Sequence, residues 1–377
     1  MEQQYILIIN AGSATLKFKI FSFSDVKLVK EGIVERIGLM GSFIEFEGKK
    51  EFNEVENHEE AFKLIISKIG DLKDKIIMVG HRVVHGGGKY NEPILINKSI
   101  LKNLKKFNIL APLHNPVNIK CIAAAHKYLP NIPNVAVFDT AFYKTLPPHA
   151  YIYAIPLKFY KQHKIRRYGF HGISHQYVAQ MAAEKLKKPL SQLNLITCHL
   201  GSGCSITAIK KGQAIDTSLG FTPLEGLVMS TRCGTIDPAI PLYMITRLKM
   251  SAEEVDSLLN KRSGLFGLSG SMDMREILVK AGYVVPGFKL KSKVTLKEKE
   301  IAKLTLEIFI YNIKKYIGAY NTIIGKVDAL VFTAGIGERS AIIRKLILQD
   351  LPKFKVLVIS TNEELLIAQS AKFLINK

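Results

Sequence analysis

Two segments of one shape lie far apart in this chain. The first reads Ile6-Leu7-Ile8-Ile9-Asn10-Ala11-Gly12-Ser13-Ala14-Thr15-Leu16-Lys17, and the second Leu195-Ile196-Thr197-Cys198-His199-Leu200-Gly201-Ser202-Gly203-Cys204-Ser205-Ile206. In each, a β-rich apolar run breaks at a Gly-Ser step and resumes as another apolar run. That pattern describes a hairpin whose tip exposes backbone N–H groups, a concavity suited to phosphate oxygens. One such turn says little, but two in matching strand contexts point to a duplicated domain that holds a nucleotide from both sides.

The length allows this. A chain of 377 residues accommodates about two domains of ~100–200 residues, each with its own core. The residues after Met1-Glu2-Gln3-Gln4 are too short an apolar run for a secretory h-region. No stretch reaches the ~18 apolar residues that would span a bilayer, so a cytoplasmic protein without a membrane partner is expected. Cys121, Cys198, Cys204 and Cys233 form no CxxC pair, which argues against a structural metal or disulfide framework and for small buried hydrophobes. The formal charge of +21 raises nucleic-acid binding. The lysines, however, are spread along the chain, with local clusters at residues 102–106 and 289–299 but no interleaved aromatics or helix-turn-helix signal. A solvated basic surface that attracts anionic substrates is the better reading, with no nucleic-acid partner.

Strand and helix signals alternate, which predicts α/β architecture. Helices are expected near 98–106, 117–128, 239–260 and 296–322, and strands at 134–138, 329–333 and 355–359. The Pro- and Tyr-rich segment 147–156 reads as a crossover, and Thr361-Asn362-Glu363-Glu364 as an N-cap with an acidic first turn.

Several residues could carry chemistry. A third glycine turn, Thr333-Ala334-Gly335-Ile336-Gly337-Glu338, follows a strand and precedes a helical run, a setting in which helix N–H groups can meet phosphate. Arg82 ends a strand that runs into Gly86-Gly87-Gly88, and Arg232 sits in a loop of turn formers; arginine's planar fork suits phosphate and carboxylate. His114 lies between prolines, and Arg166-Arg167-Tyr168-Gly169-Phe170-His171-Gly172-Ile173-Ser174-His175 packs cations and imidazoles around a glycine turn. Such groups repel one another unless an anion lies between them, or unless they are separately satisfied. Asp139 and Glu363 fall where open α/β sheets place ligands, and their hard oxygens would suit Mg²⁺; helix capping is the alternative for each. There is no Walker A sequence.

Taken together, these segments resemble the acetate kinase family over almost the full length. The resemblance rests on residues 9–13, 81–87, 111–116, 138–142, 166–172, 199–201, 216–227, 231–232, 332–338 and 361–365, in one order. It implies the acetate/sugar kinase–Hsp70–actin fold: two duplicated ribonuclease H-like domains with an interdomain active-site cleft. The expected domains are residues 1–140 with 362–377, and residues 141–361 as the nucleotide-binding domain. It also implies a homodimer, ATP and ADP as substrates, and acetate or acetyl phosphate as the partner substrate.

By position, the resemblance assigns Asn10, Ser13, Thr15 and Lys17 to the first phosphate loop and Arg82 to the acetate carboxylate and incoming phosphoryl group. His114, His171 and Arg232 would surround the transferring phosphoryl. Asp139 and Glu363 would organise Mg²⁺ (Mn²⁺ as a substitute) and the nucleophile, with Asn10 and Glu363 as metal ligands. His199, Leu200, Gly201, Ser202 and Gly203 would approach the nucleotide phosphates, and Asp273, Met274, Arg275, Gly335, Ile336 and Gly337 the nucleotide. Val84, Leu113, Phe170 and Pro223 would form the acyl pocket. Departures are Ser202 for the family's usual Asn, Thr15 within a former serine run, Tyr143 for His, Ile173 for Thr and Thr235 for Asp. The activity implied is reversible, direct in-line phosphoryl transfer between ATP and acetate. A propionate kinase and a non-catalytic nucleotide-binding relative are the alternatives.

Overall fold

A computed structural model describes residues 3–112, 114–290 and 292–375. Leu113, expected in the acyl pocket, lies outside the described residues. The chain forms two compact units, Met1–Lys144 with Asn362–Lys377, and Thr145–Thr361.

The first unit is built on strands β1 (Tyr5–Ala11), β2 (Thr15–Ser22), β3 (Leu28–Glu35), β4 (Phe43–Phe46), β5 (Lys49–Phe52), β6 (Ile76–Val83), β7 (Ile94–Leu95) and β8 (Asn134–Phe138), ordered β5-β4-β3-β2-β1-β6-β8-β7. β1 is buried at every position, because it is central and covered on both faces. It pairs antiparallel with β2, Asn10 opposite Lys17, and parallel with β6. On one face the helices His58–Ile69 and Asn115–Tyr128 cover a core of Leu7, Ile9, Phe18, Phe62 and Ile65.

The C-terminal helix Glu363–Ile375 returns to lie against β1 and β6. A Cβ at Gly80 on β6 would stand 2.6 Å from Ile8 Cδ1 and 3.0 Å from Ile367 Cγ2, so the missing side chain lets this helix dock. The Asn362 side chain accepts from Leu365 N at 3.2 Å, and Glu363 and Glu364 form the acidic first turn expected of the segment 361–364.

The second unit contains β9 (Leu195–Leu200), β10 (Cys204–Lys210), β11 (Gln213–Thr217), β12 (Ala329–Thr333) and β13 (Val356–Val358), ordered β11-β10-β9-β12-β13. β9 pairs antiparallel with β10 and parallel with β12, which pairs parallel with β13. The five strands β3-β2-β1-β6-β8 repeat that order and those directions in the first unit. The duplication expected from two hairpins is therefore a repeat of whole sheets, the ribonuclease H-like arrangement.

Three local expectations change. Residues 333–338 are not an open glycine turn: Ala334–Arg339 is a helix, entered through Ala334 at φ +63°. Helices Ala239–Thr246 and Ala252–Lys261 replace one helical region. Cys121, Cys198 and Cys204 are buried, but Cys233 is only half-buried. Among the described residues no helix is long and apolar enough to cross a membrane.

Candidate active site

In the first unit, three strand ends and one helix start bring their polar side chains together. Asn10 is the penultimate residue of β1, Arg82 of β6, and Asp139 follows β8, so the parallel pairing of β1, β6 and β8 aligns them. Arg82 donates Nε and Nη2 to Asp139 at 3.1 and 2.6 Å, and Nη1 to Asn10 Oδ1 at 3.1 Å. Glu363 Oε2 lies 3.4 Å from Arg82 Nη1. Asn10 Nδ2 in turn donates to Glu364 Oε1 at 2.7 Å and to Glu363 Oε2 at 3.3 Å.

Burial pushes the Asp139 carboxyl up to about 6, with Arg82 opposing and Glu363 reinforcing the rise. Burial alone would lower Arg82, but Asp139 and Glu363 outweigh it and hold the guanidinium above its ordinary range. Three carboxyl groups thus share one guanidinium, with Lys19 Nζ a further 3.9 Å from Glu364. The set is hard and oxygen-rich, which suits a divalent cation that retains waters. Among the described residues no group of three or more His, Cys, Asp and Glu is arranged to hold a metal ion.

The neighbouring loops are fixed by two buried asparagines that sequence reading missed. Asn118 accepts from Val84 N and donates to Ala11 O, while Asn115 accepts from His85 N and donates to His85 O. Their spacing of three residues on one helix was a legible signal. Val84 is buried; His114 is half-buried at the N-cap of that helix. At the first hairpin tip, Gly12 N donates to Thr15 O and Gly12 O accepts from His58 Nε2 at 2.8 Å. Ser13 and Lys17 are exposed and Thr15 is half-buried.

The second unit gathers a different set. His171 caps the helix Gly172–Leu186 in the left-handed region, at φ +57°, and its ring stacks on His199 of β9 with centroids 4.4 Å apart. His199 Nδ1 bonds Ser174 Oγ at 2.8 Å. Ser205 Oγ lies between His171 Nδ1 at 2.9 Å and His175 Nε2 at 2.7 Å, and His175 Nδ1 bonds Thr197 Oγ1 at 2.6 Å.

The β9–β10 tip, residues 201–203, is tight: Gly201 N donates to Gly203 O, and Ser202 O accepts from Ser230 N. A Cβ at Gly203 would stand 3.1 Å from His171 Nε2 and 3.7 Å from Arg232 Nη1. Leu200 beneath the tip is buried, and Ser202 is exposed. Arg232 donates to Pro223 O at 3.2 Å. Burial lowers its pKa, and among the described residues no carboxylate pairs with it. A half-buried cation with no carboxylate counter-ion is suited to receiving an anion.

The cation cluster of residues 166–175 divides. Arg167 pairs with Glu225 at 2.6 Å and caps the carbonyls of Thr217, Ser218 and Leu219, while Arg166 lies 3.6 Å over the Tyr151 ring. These arginines are structural; only His171 stands beside Arg232 and the glycine tip. Phe170 is buried and Pro223 half-buried.

Asp273 caps the helix Met274–Ala281, and its ion pair with Arg275 is largely exposed; Met274 is buried. Gly335 is exposed, Ile336 half-buried and Gly337 buried. Glu338, also missed, accepts from Ala334 N, Thr333 Oγ1 and Thr361 N.

The profile of the Acetokinase family matches residues 5–369. The acetate kinase of Thermotoga maritima is 45% identical, covering 99% of both chains, and that of Dictyoglomus thermophilum 43%, again over 99% of both. A crystal structure of a propionate kinase from Francisella tularensis aligns at TM-score 0.90 and 38% identity over 98% of this chain and 99% of that one. The acetate kinase of Porphyromonas gingivalis aligns at 0.86 and 36%, over 99% and 100%.

Proposed function

The chain belongs to the acetokinase family, and from this membership we infer that it is an ATP:acetate phosphotransferase, interconverting ATP plus acetate with ADP plus acetyl phosphate. The observation that carries the reading furthest is Arg232, a half-buried cation with no carboxylate partner among the described residues, beside His171 and a glycine tip.

The chemistry demands such a set. Acetate is already ionised at neutral pH, so no general base is needed. The obstacle is bringing one anion to another and meeting the charge that spreads over equatorial oxygens in a loose transition state. Arg232 and His171 offer donors to those oxygens, and the 201–203 tip lies beside them. In the first unit, Asp139 and Asn10 hold Arg82 in one orientation. Because Asp139 takes Nε and Nη2 and Asn10 takes Nη1, Arg82 offers acetate its remaining outer N–H groups rather than an open fork. Asn10 and Glu363 would hold Mg²⁺, with Mn²⁺ as a substitute. Bound there, the cation would supply charge neutralisation at the phosphates.

Each unit acts as a domain in this proposal, the first supplying the metal and acceptor end and the second the nucleotide end. Lys17 and residues 199–203 would meet the phosphates; Asp273, Met274, Arg275 and residues 335–337 would meet the nucleoside. Val84, Phe170 and Pro223 would contact the acyl group and His114 the phosphoryl. The protein works as a cytoplasmic homodimer.

The 0.90 match to a propionate kinase keeps one rival acid in view, since one methylene in an apolar pocket discriminates by only ~1–3 kcal/mol. Hydroxylamine trapping of acyl phosphate from ATP, Mg²⁺ and acetate, propionate or butyrate tests the reading. The highest kcat/KM is expected on acetate; a propionate preference moves the assignment by one carbon, and no product from any acid overturns it.

A further inference from the structure

The second unit holds a hydrogen-bonded series that the phosphoryl-transfer scheme does not use. Thr197 Oγ1, the His175 ring, Ser205 Oγ and His171 Nδ1 follow one another at 2.6, 2.7 and 2.9 Å. Thr197, His175 and Ser205 are fully buried. We propose that Thr197, His175 and Ser205 are positioning residues that fix the tautomer of His171, so that neutral His171 presents an Nε2–H donor to the phosphoryl group.

The argument is proton counting. Ser205 has one hydroxyl hydrogen and two imidazole neighbours, so it donates to at most one of them. If it donates to His175, His171 must carry its proton on Nδ1. Neutral His171 would then turn a lone pair towards the anion. If it donates to His171 Nδ1, the ring's own proton sits on Nε2, the nitrogen 3.1 Å from the Gly203 Cβ position. His175 Nε2 then donates to Ser205, and His175 Nδ1 accepts from Thr197. Every hydroxyl and ring proton has one acceptor, and the order runs in a single direction. Burial keeps His175 neutral, driving its pKa well below the ordinary histidine value, which leaves it one ring proton to place.

A cationic His171 would also donate from Nε2, but its surroundings oppose that charge. His199 of β9 stacks on it at 4.4 Å, Arg232 stands beside Gly203, and His175 adjoins it through Ser205 of β10, and each of these is a cation or can become one. A neutral donor serves the reaction without adding a positive charge beside Arg232, and it keeps serving above the ordinary histidine pKa.

The inference rests on the phosphotransferase reading, but the two fail separately. In ¹⁵N-histidine-labelled full-length protein, two-bond ¹H–¹⁵N spectra report each ring's tautomer, with the His171 signals identified by their loss in His171→Asn. His171 and His175 are expected as neutral Nε2–H forms at neutral pH. Ser205→Ala should release His171 to a tautomer mixture and lower kcat about 10–100-fold, the range for lost orienting partners. It should leave KM values nearly unchanged and add an acidic limb to the kcat–pH profile; Ser205→Thr should restore the wild-type profile. A neutral Nδ1–H form or an imidazolium at His171 in the unmodified protein overturns the proposal whatever the variants do. So does Ser205→Ala with unchanged tautomer and kcat. Absence of acyl phosphate from the unmodified enzyme would strike the kinase reading, while the spectra would still decide the tautomer.

Discussion

At the scale of the residue, charge that lacks a partner is more informative than charge that has one. Arg82 and Arg232 look alike in sequence, each near a glycine turn. Arg82 proves to be enclosed by Asp139, Asn10 and Glu363, whereas Arg232 contacts a carbonyl and a sulfur. Arg232→Ala is therefore expected to cost on the order of 10²–10³ in kcat, as loss of a preorganised donor does, without lowering the thermal midpoint. Steady-state kinetics beside a melting curve check this; a lowered midpoint with near-normal kcat would recast Arg232 as structural. Motif order made Arg82, Asp139, His171 and Arg232 legible in sequence. Glu364 and Ser205 were not, because each acts by hydrogen-bonding another polar group and carries no spacing of its own, whereas Asn115 and Asn118, three residues apart on one helix, carried a signal that went unread. The arginines at 166 and 167 misled for the opposite reason: their carboxylate and aromatic partners come from distant segments.

At the scale of the element, the two sheets were readable because their strands alternate with glycine breaks and helices. Their exact edges were not. The helix Ala334–Arg339 begins where Gly335 and Gly337 argued for a turn, and tertiary contacts overrode that local propensity: Glu338 gathers Ala334 N and Thr361 N. Packing distances carry a sharper consequence at Gly80. A methyl there would meet Ile8 and Ile367 and push back the helix that presents Glu363 and Glu364. Gly80→Ala is expected to cost about 1–3 kcal/mol of stability, the range for overpacked cores, and to raise the metal concentration needed for half-maximal rate. Denaturant unfolding and a Mg²⁺ titration test both; an unchanged metal requirement would separate this helix from the metal.

At the scale of the whole molecule, both units bury neutral histidines. Burial lowers His81 to about 4 and His85 to about 3 in the first unit, and His175 well below its ordinary value in the second. Each remains unprotonated in the folded chain while its unfolded counterpart takes a proton below about pH 6.5. Stability from these groups is thus complete above that pH and is lost as pH falls towards 4, at about 1.4 kcal/mol per histidine per pH unit. Asp139, raised by burial to about 6, and Asp216, also raised by burial, pull the other way, while His58, lowered by burial, adds to the loss. Thermal unfolding between pH 7.5 and pH 5 is expected to show a steep loss; a flat profile would contradict the buried neutral state.

The path of the chain has a consequence for how such a molecule comes into being. The second unit is one continuous stretch, Thr145–Thr361, whereas the first begins the chain and is finished only by Asn362–Lys377. During synthesis the Arg82 half therefore waits for residues that follow the whole of the Arg232 half, and its carboxylate set closes only once Glu363 and Glu364 have left the ribosome.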